Sequence, residues 1–155
     1  MEPTFVQALT APEHDMLKAL QIYWQGKKGS RIAPPRAAID PAELRGQLPY
    51  ILLIEVVGNP HRFRARLFGS ALVQAYGEEL TGKFGEEVDL DAVWPELMDF
   101  VERAAAECKP QFLRAEFTKH SGRHLKYEQI ILPLSDDGVR VNMLLSGYAV
   151  EKAYG

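Results

Sequence analysis

The stretch from His124 to Val150, HLKYEQIILPLSDDGVRVNMLLSGYAV, decides the fold. It consists of two apolar runs, His124–Leu134 and Val139–Val150, separated by Asp137-Gly138. An Asp-Gly pair between apolar strands is a strong hairpin signal, because a tight two-residue turn needs positive φ at both central positions. Such a turn sets Leu134 beside Val141, Leu132 beside Met143, Ile130 beside Leu145 and Glu128 beside Gly147. Upstream, Ser121-Gly122 joins His124–Leu134 to Gln111–Lys119 in the same manner and sets Ala115 beside Glu128. Strand side chains alternate between faces, so Ala115, Glu128 and Gly147 form one row across an otherwise apolar face.

That row places a carboxylate between two of the smallest side chains, leaving space beside it. An ionised carboxylate buried alone is costly, so Glu128 requires a cation, hydrogen-bond donors, a ligand or protonation. Two readings follow: a structural pair with Arg66, Lys126 or water, and a ligand contact. On the second, the candidate pocket comprises Glu128, Ala115, Gly147, Arg66, Tyr76, Trp94, Met98 and Met143. The opposite face carries Tyr127, Ile131, Leu144 and Tyr148, with Ile51 and Leu53 from an earlier strand. An apolar outer face must be covered.

The cover is expected from the N-terminus. A helix is predicted from about Pro12 to Gln25, with Pro12 in its first turn, Glu13 and Asp15 at its positive end and Gly26 as its stop. Met16, Leu17, Leu20, Tyr23 and Trp24 form its apolar stripe. Leu17, Leu20, Trp24, Tyr127, Ile131, Leu144 and Tyr148 are therefore the candidate interface, within one chain or between two. Further elements are a short helix after Asp40-Pro41, strands over Tyr50–Val57 and Arg62–Phe68, and a short helix from Ser70 to Tyr76 ended by Gly77. The longest helix starts at Asp89 or Asp91 and runs to Cys108, with Leu90, Val93, Trp94, Leu97, Val101 and Ala104 in its stripe. Helix, two strands, helices and three strands make an α+β domain with an antiparallel sheet.

Composition bounds the function. The chain has 155 residues, 46% hydrophobic and 25% charged, which is one average globular domain. With 18 basic and 21 acidic residues the net charge is −3 and the pI near 5.8, against the basic excess of nucleic-acid binders. One cysteine, Cys108, allows no intramolecular disulfide and fits a reducing compartment. There is no secretory signal pattern, and the run Tyr50–Ile54 falls far short of the ~20 residues of a membrane span. A cytoplasmic protein without nucleic-acid or membrane partners is the expectation.

Reactive motifs are missing. The sequence contains no phosphate loop, dinucleotide-binding glycine pattern, nucleophile elbow or paired-cysteine metal site. His120 and His124 flank a hairpin turn and read as exposed, since zinc wants three or four ligands. Cys108 ends a helix, where the dipole disfavours a thiolate, and reads as packing.

Several stretches together carry a family resemblance: Tyr23-Trp24-Gln25, Pro34-Pro35-Arg36-Ala37-Ala38-Ile39-Asp40-Pro41, Leu48-Pro49-Tyr50, Phe63 through Leu72, Tyr76-Gly77, Leu80-Thr81-Gly82-Lys83, Tyr127-Glu128 and Leu132 through Gly138. From about Leu17 to Val150 the chain resembles a PAS domain, and more closely the stand-alone bacterial PAS-like family typical of alphaproteobacteria. The resemblance implies a five-stranded antiparallel sheet with connecting helices on one face around a ligand pocket. It also implies a sensory or dimerisation role in signalling. Flavin photosensors of this fold carry an Asn-Cys-Arg motif and haem-binding members a histidine on the long helix; neither is present, so no flavin or haem is expected.

The resulting expectation is an N-terminal helical extension over residues 1–26 and a single PAS-like domain over 27–155. It acts without a catalytic or metal site, by binding an unidentified small ligand or an unknown signalling protein, as a homodimer. The alternative is a cone or hotdog-like α+β enzyme using Glu128 with Tyr76 or Tyr127 as its acid–base pair.

Overall fold

The computed structural model describes residues 3–88 and 93–155. The strands are β1 (Phe5–Leu9), β2 (Ile51–Val57), β3 (Arg62–Phe68), β4 (Gln111–Thr118), β5 (His124–Leu134) and β6 (Met143–Tyr154); the helices are α1 (Asp15–Lys28), α2 (Ser70–Tyr76) and α3 (Trp94–Glu107). All six strands pair antiparallel in one sheet, in the order β1-β4-β5-β6-β2-β3. The sixth strand is β1, which extends the edge beside β4 and has no counterpart in the sequence reading.

Helix limits follow their caps. α1 starts at Asp15, where His14 Nδ1 accepts from the Met16 N–H, and it runs through Gly26 to Lys28. Gly77, at φ 87°, ends α2 in the left-handed region where glycine carries no Cβ clash. The expected start of the long helix at Asp89 or Asp91, with Leu90, lies outside the described residues. Cys108 closes α3 in the same left-handed region, at φ 53°.

Both hairpins depart from the expected register, by different amounts. Leu134 pairs with Met143, Ile130 with Gly147 and Glu128 with Ala149, a shift of two residues that leaves the side chains from Tyr127 to Leu134 on their expected faces. The connection is longer because Asp137 Oδ1 accepts from the N–H groups of Val139 and Arg140, both at 2.8 Å, and folds the chain locally. Between β4 and β5 the slip is one residue: Glu128 faces Arg114, and Ala115 faces Tyr127. The Lys119 N–H bonds the Arg123 carbonyl at 2.8 Å across three residues, with Gly122 at φ 92°. That is the three-residue loop with a left-handed glycine, and its odd count moves Ala115 to the face opposite Glu128.

Each sheet face has its own core. On one, Leu17, Leu20 and Trp24 of α1 pack on Ile51, Leu53, Ile130, Leu132, Leu145 and Ala149. Burying each such side chain contributes ~1.5–3 kcal/mol. The Trp24 indole N–H donates to the Pro133 carbonyl at 2.8 Å. A Cβ on Gly147 would stand 2.6 Å from Leu20 Cδ2, so the helix lies against bare backbone there. On the other face, Leu97, Val101 and Ala104 of α3 pack on Ile54, Leu113, Ala115, Phe117, Tyr127, Ile131 and Leu144.

This arrangement corrects the assignment of faces. α1 does cover a sheet face, but that of Glu128 and Gly147, and Ile51 and Leu53 belong to it. Leu17, Leu20 and Trp24 are buried at 1%, 1% and 3% exposure inside their own chain, so no partner is needed to cover them. Tyr127, Ile131 and Leu144 lie in the core beneath α3, with Tyr148 packed against it.

Candidate functional site

The hollow of the molecule is on the α3 face. Trp94, Leu97, Met98 and Val101 recur at helical spacing and form one wall; the other is the sheet, through Leu52, Ile54, Tyr127 and Tyr148. Two adjoining cavities of about 80 Å³ each lie between them. Both are bounded by Leu52, Leu80, Trp94, Leu97, Tyr127 and Tyr148. The first extends toward Phe63, Lys83, Met98 and Gln129, the second toward Phe68, Leu72, Tyr76 and Phe117.

The walls are mostly apolar, and their few polar groups are ordered. Gln129 is buried, and its Nε2 donates to Ser146 Oγ at 2.8 Å and to Tyr148 Oη at 2.9 Å. Ser146 Oγ in turn donates to the Ile130 carbonyl at 3.0 Å. Tyr127 is 8% exposed and stacks edge-on with Tyr148 and Phe117, while no described residue forms a hydrogen bond with its hydroxyl. Burial, reinforced by Tyr148 and Tyr76, pushes the Tyr127 phenol well above its ordinary value, and burial also raises that of Tyr148. Both are neutral at physiological pH.

α2 roofs the second cavity with Leu72, Ala75 and Tyr76. Its last carbonyls are held from the β4–β5 turn. Lys119 Nζ donates to the Tyr76 carbonyl at 2.9 Å and lies 3.4 Å from the Tyr76 ring centroid. Arg123 donates to the carbonyls of Ala75 and Gln74, at 2.9 and 2.7 Å. Cations at a helix C-terminus complement its dipole.

Glu128 is elsewhere. At 2% exposure it faces α1, and its carboxylate accepts from the backbone N–H groups of Glu13 at 2.8 Å and His14 at 3.1 Å. Arg114 approaches to 3.8 Å and also pairs with Glu13 at 3.0 Å. The carboxylate therefore anchors the start of α1, satisfying N–H groups that no helical carbonyl can reach. The cation is Arg114, brought onto this face by the one-residue slip, in place of Arg66 or Lys126.

The remaining candidates separate in the same way. Tyr76, Trp94 and Met98 line the hollow, while Ala115 is buried in the α3-side core without lining either cavity. Gly147 and Met143 belong to the α1 face. Arg66 is exposed on β3, 3.9 Å from Glu55. Tyr127 and Tyr148, assigned to the interface from sequence, line both cavities. Gln129 escaped the sequence reading; its alternation with Tyr127 and Ile131 was the available signal.

A second polar cluster also departs from expectation. His124 is buried, not exposed: its Nε2 lies 2.8 Å from Glu116 Oε2 and its Nδ1 2.9 Å from Thr118 Oγ1. The His124 bond holds the Glu116 carboxyl below its ordinary value, opposed by burial and aided by Lys152 and Lys126. Cys108 is half-buried and burial raises its thiol pKa. Among the described residues no cluster of three or more His, Cys, Asp or Glu side chains converges for a metal, and no helix is long and apolar enough to cross a membrane.

The chain matches the family model described as a PAS domain over residues 12–147. No curated protein matches it. Among solved structures it resembles the PAS domain from Bordetella pertussis BvgS, with TM-score 0.54 and 23% identity over 72% of this chain and 82% of that one. It also resembles an RNA-binding light-oxygen-voltage receptor, with TM-score 0.54 and 13% identity, over 97% of this chain and 39% of the receptor. At these identities the likeness is one of fold. The α+β architecture, with α3 over one face of an antiparallel sheet, is the PAS architecture, and the match across residues 12–147 makes this chain a member of the PAS domain family.

Proposed function

We propose that this protein is a sensory PAS domain whose input is a small molecule held in the paired cavities and whose output is an interaction with another signalling protein. One observation carries the input: a buried apolar hollow into which polar groups of Gln129 and Tyr127 have been set. A filled structural core gains nothing from such groups, since each costs desolvation unless something hydrogen-bonds to it. PAS domains are typically sensory and non-enzymatic, in line with this reading. Support for an output through contact is the family itself, whose members commonly dimerise or bind ligands.

The paired cavities are small. Together they match the ~150 Å³ in which an engineered apolar cavity holds a benzene-sized guest. The reading therefore needs a compact ligand and excludes a bulky cofactor without rearrangement of α2 or α3. The test is mass spectrometry of the purified full chain under native and then denaturing conditions, with amide NMR of the same sample. A released small molecule, whose return shifts amides of Leu97, Tyr127 and Gln129, is the expected result. A hollow that takes up no compact molecule in the NMR experiment refutes the reading.

A further inference from the structure

The polar atoms of the hollow specify the chemistry of its occupant, given the ligand-binding reading above. Ser146 Oγ lies 3.0 Å from the Ile130 carbonyl and, donating there, accepts from Gln129. With the amide so assigned, the NH2 group faces Ser146 and Tyr148 and both its hydrogens are engaged. Oε1 is then an acceptor on a side chain 5% exposed, and no described residue donates to it. The Tyr127 hydroxyl, on a residue 8% exposed, likewise has no partner among the described residues and borders both cavities.

Charge narrows the class. Among the described residues no carboxylate lines either cavity. Lys83, the one charged lining residue among those described, pairs with Glu78 at 2.6 Å, so neither a bound cation nor a bound anion finds a free counter-charge among the described residues. On the far side of the roof, Lys119 already occupies the face of Tyr76. A charged guest would lose its hydration against apolar walls without compensation.

We infer that the hollow selects a neutral, single-ring molecule carrying an O–H or N–H donor, a phenol-like ligand whose donor meets Gln129 Oε1 and whose ring lies among Trp94, Leu97 and Tyr148. The ring with its donor spans the two adjoining compartments of about 80 Å³ each. Tyr127 supplies a second hydrogen bond to the ligand oxygen or nitrogen.

Binding of phenol, toluene, benzoate and tetramethylammonium to the full chain, followed by ¹H–¹⁵N NMR titration, tests this. Phenol is expected to bind at least about tenfold more tightly than toluene, the worth of one hydrogen bond to a buried acceptor, while benzoate and tetramethylammonium leave the spectrum unchanged. In Gln129→Met the phenol-to-toluene ratio falls several-fold while toluene binding persists, which also shows that the variant is folded. Tyr127→Phe lowers the ratio without abolishing it, and serves if Gln129→Met does not fold. Equal binding of phenol and toluene by the native chain overturns the donor requirement and leaves the cavity reading standing. Binding of either ion as tight as that of phenol overturns neutrality. If none of the four binds, the ligand-binding reading falls together with this one.

Discussion

The two faces of the sheet are covered by helices of equal length and differ in what lies beneath. α1 and α3 each have 14 residues. Under α1 the packing reaches bare backbone at Gly147, and the buried carboxylate of Glu128 is satisfied by the N–H groups of Glu13 and His14. Under α3 two cavities lie between the sheet and Trp94, Leu97 and Met98, bordered by Gln129 and Tyr127. On the face that serves stability the carboxylate of Glu128 is satisfied by the protein itself. On the other, Gln129 and Tyr127 border a hollow, where a ligand can hydrogen-bond to them.

The contrast can be broken most severely at Trp24. Trp24→Ala removes the largest side chain from the packed face and leaves the Pro133 carbonyl without its donor, an expected loss of ~3–5 kcal/mol in urea unfolding. Glu128→Gln keeps the shape but weakens the anchoring of α1 and removes one of the carboxylates around Arg114, an expected ~1–3 kcal/mol. Its amides in residues 13–18 should also exchange hydrogen faster. A matched pair sharpens the comparison: Gly147→Ala forces Leu20 to shift and costs ~1–3 kcal/mol, whereas Val101→Ile adds similar bulk into a cavity and costs under ~1.5 kcal/mol. Equal losses for the two would mean that the hollow face is as tightly packed as the other.

The smallest effect is a pH dependence. Glu116 has a folded-state pKa below its ordinary value of 4.5, so its contribution is fully present above that value and is lost as pH falls through the lowered one. Glu116→Gln removes it. The stability difference between native chain and variant should be constant near neutrality and shrink on acidification below about pH 4.5, as followed by unfolding at stepped pH.

Most elements were legible in the sequence because their signals are local: period-two strands, helical stripes, Gly77 after Tyr76. The faces were harder. Asp137-Gly138 reads as a tight turn, yet Asp137 caps a longer loop with its carboxylate, and the two-residue error was harmless because strand side chains repeat every second residue. Ser121-Gly122 hid a three-residue loop; that odd count exchanged Ala115 for Arg114 beside Glu128. Which face is hollow was not legible, since both are apolar. The partners of Glu128 were equally hidden, being backbone N–H groups more than 110 residues away with no side-chain signature. β1 escaped because Phe5–Leu9 is short and lies on an edge, where only β4 selects it.

The cations Lys119 and Arg123 give the roof of the hollow a long reach. They join carbonyls of α2 to a turn 43 to 49 residues further along the chain, at the opposite side of the sheet from β2 and β3. α2 cannot rise from the second cavity without either releasing three carbonyl acceptors or carrying the β4–β5 hairpin with it. Displacement at the cavity and displacement at the remote sheet edge are thus one mechanical coordinate.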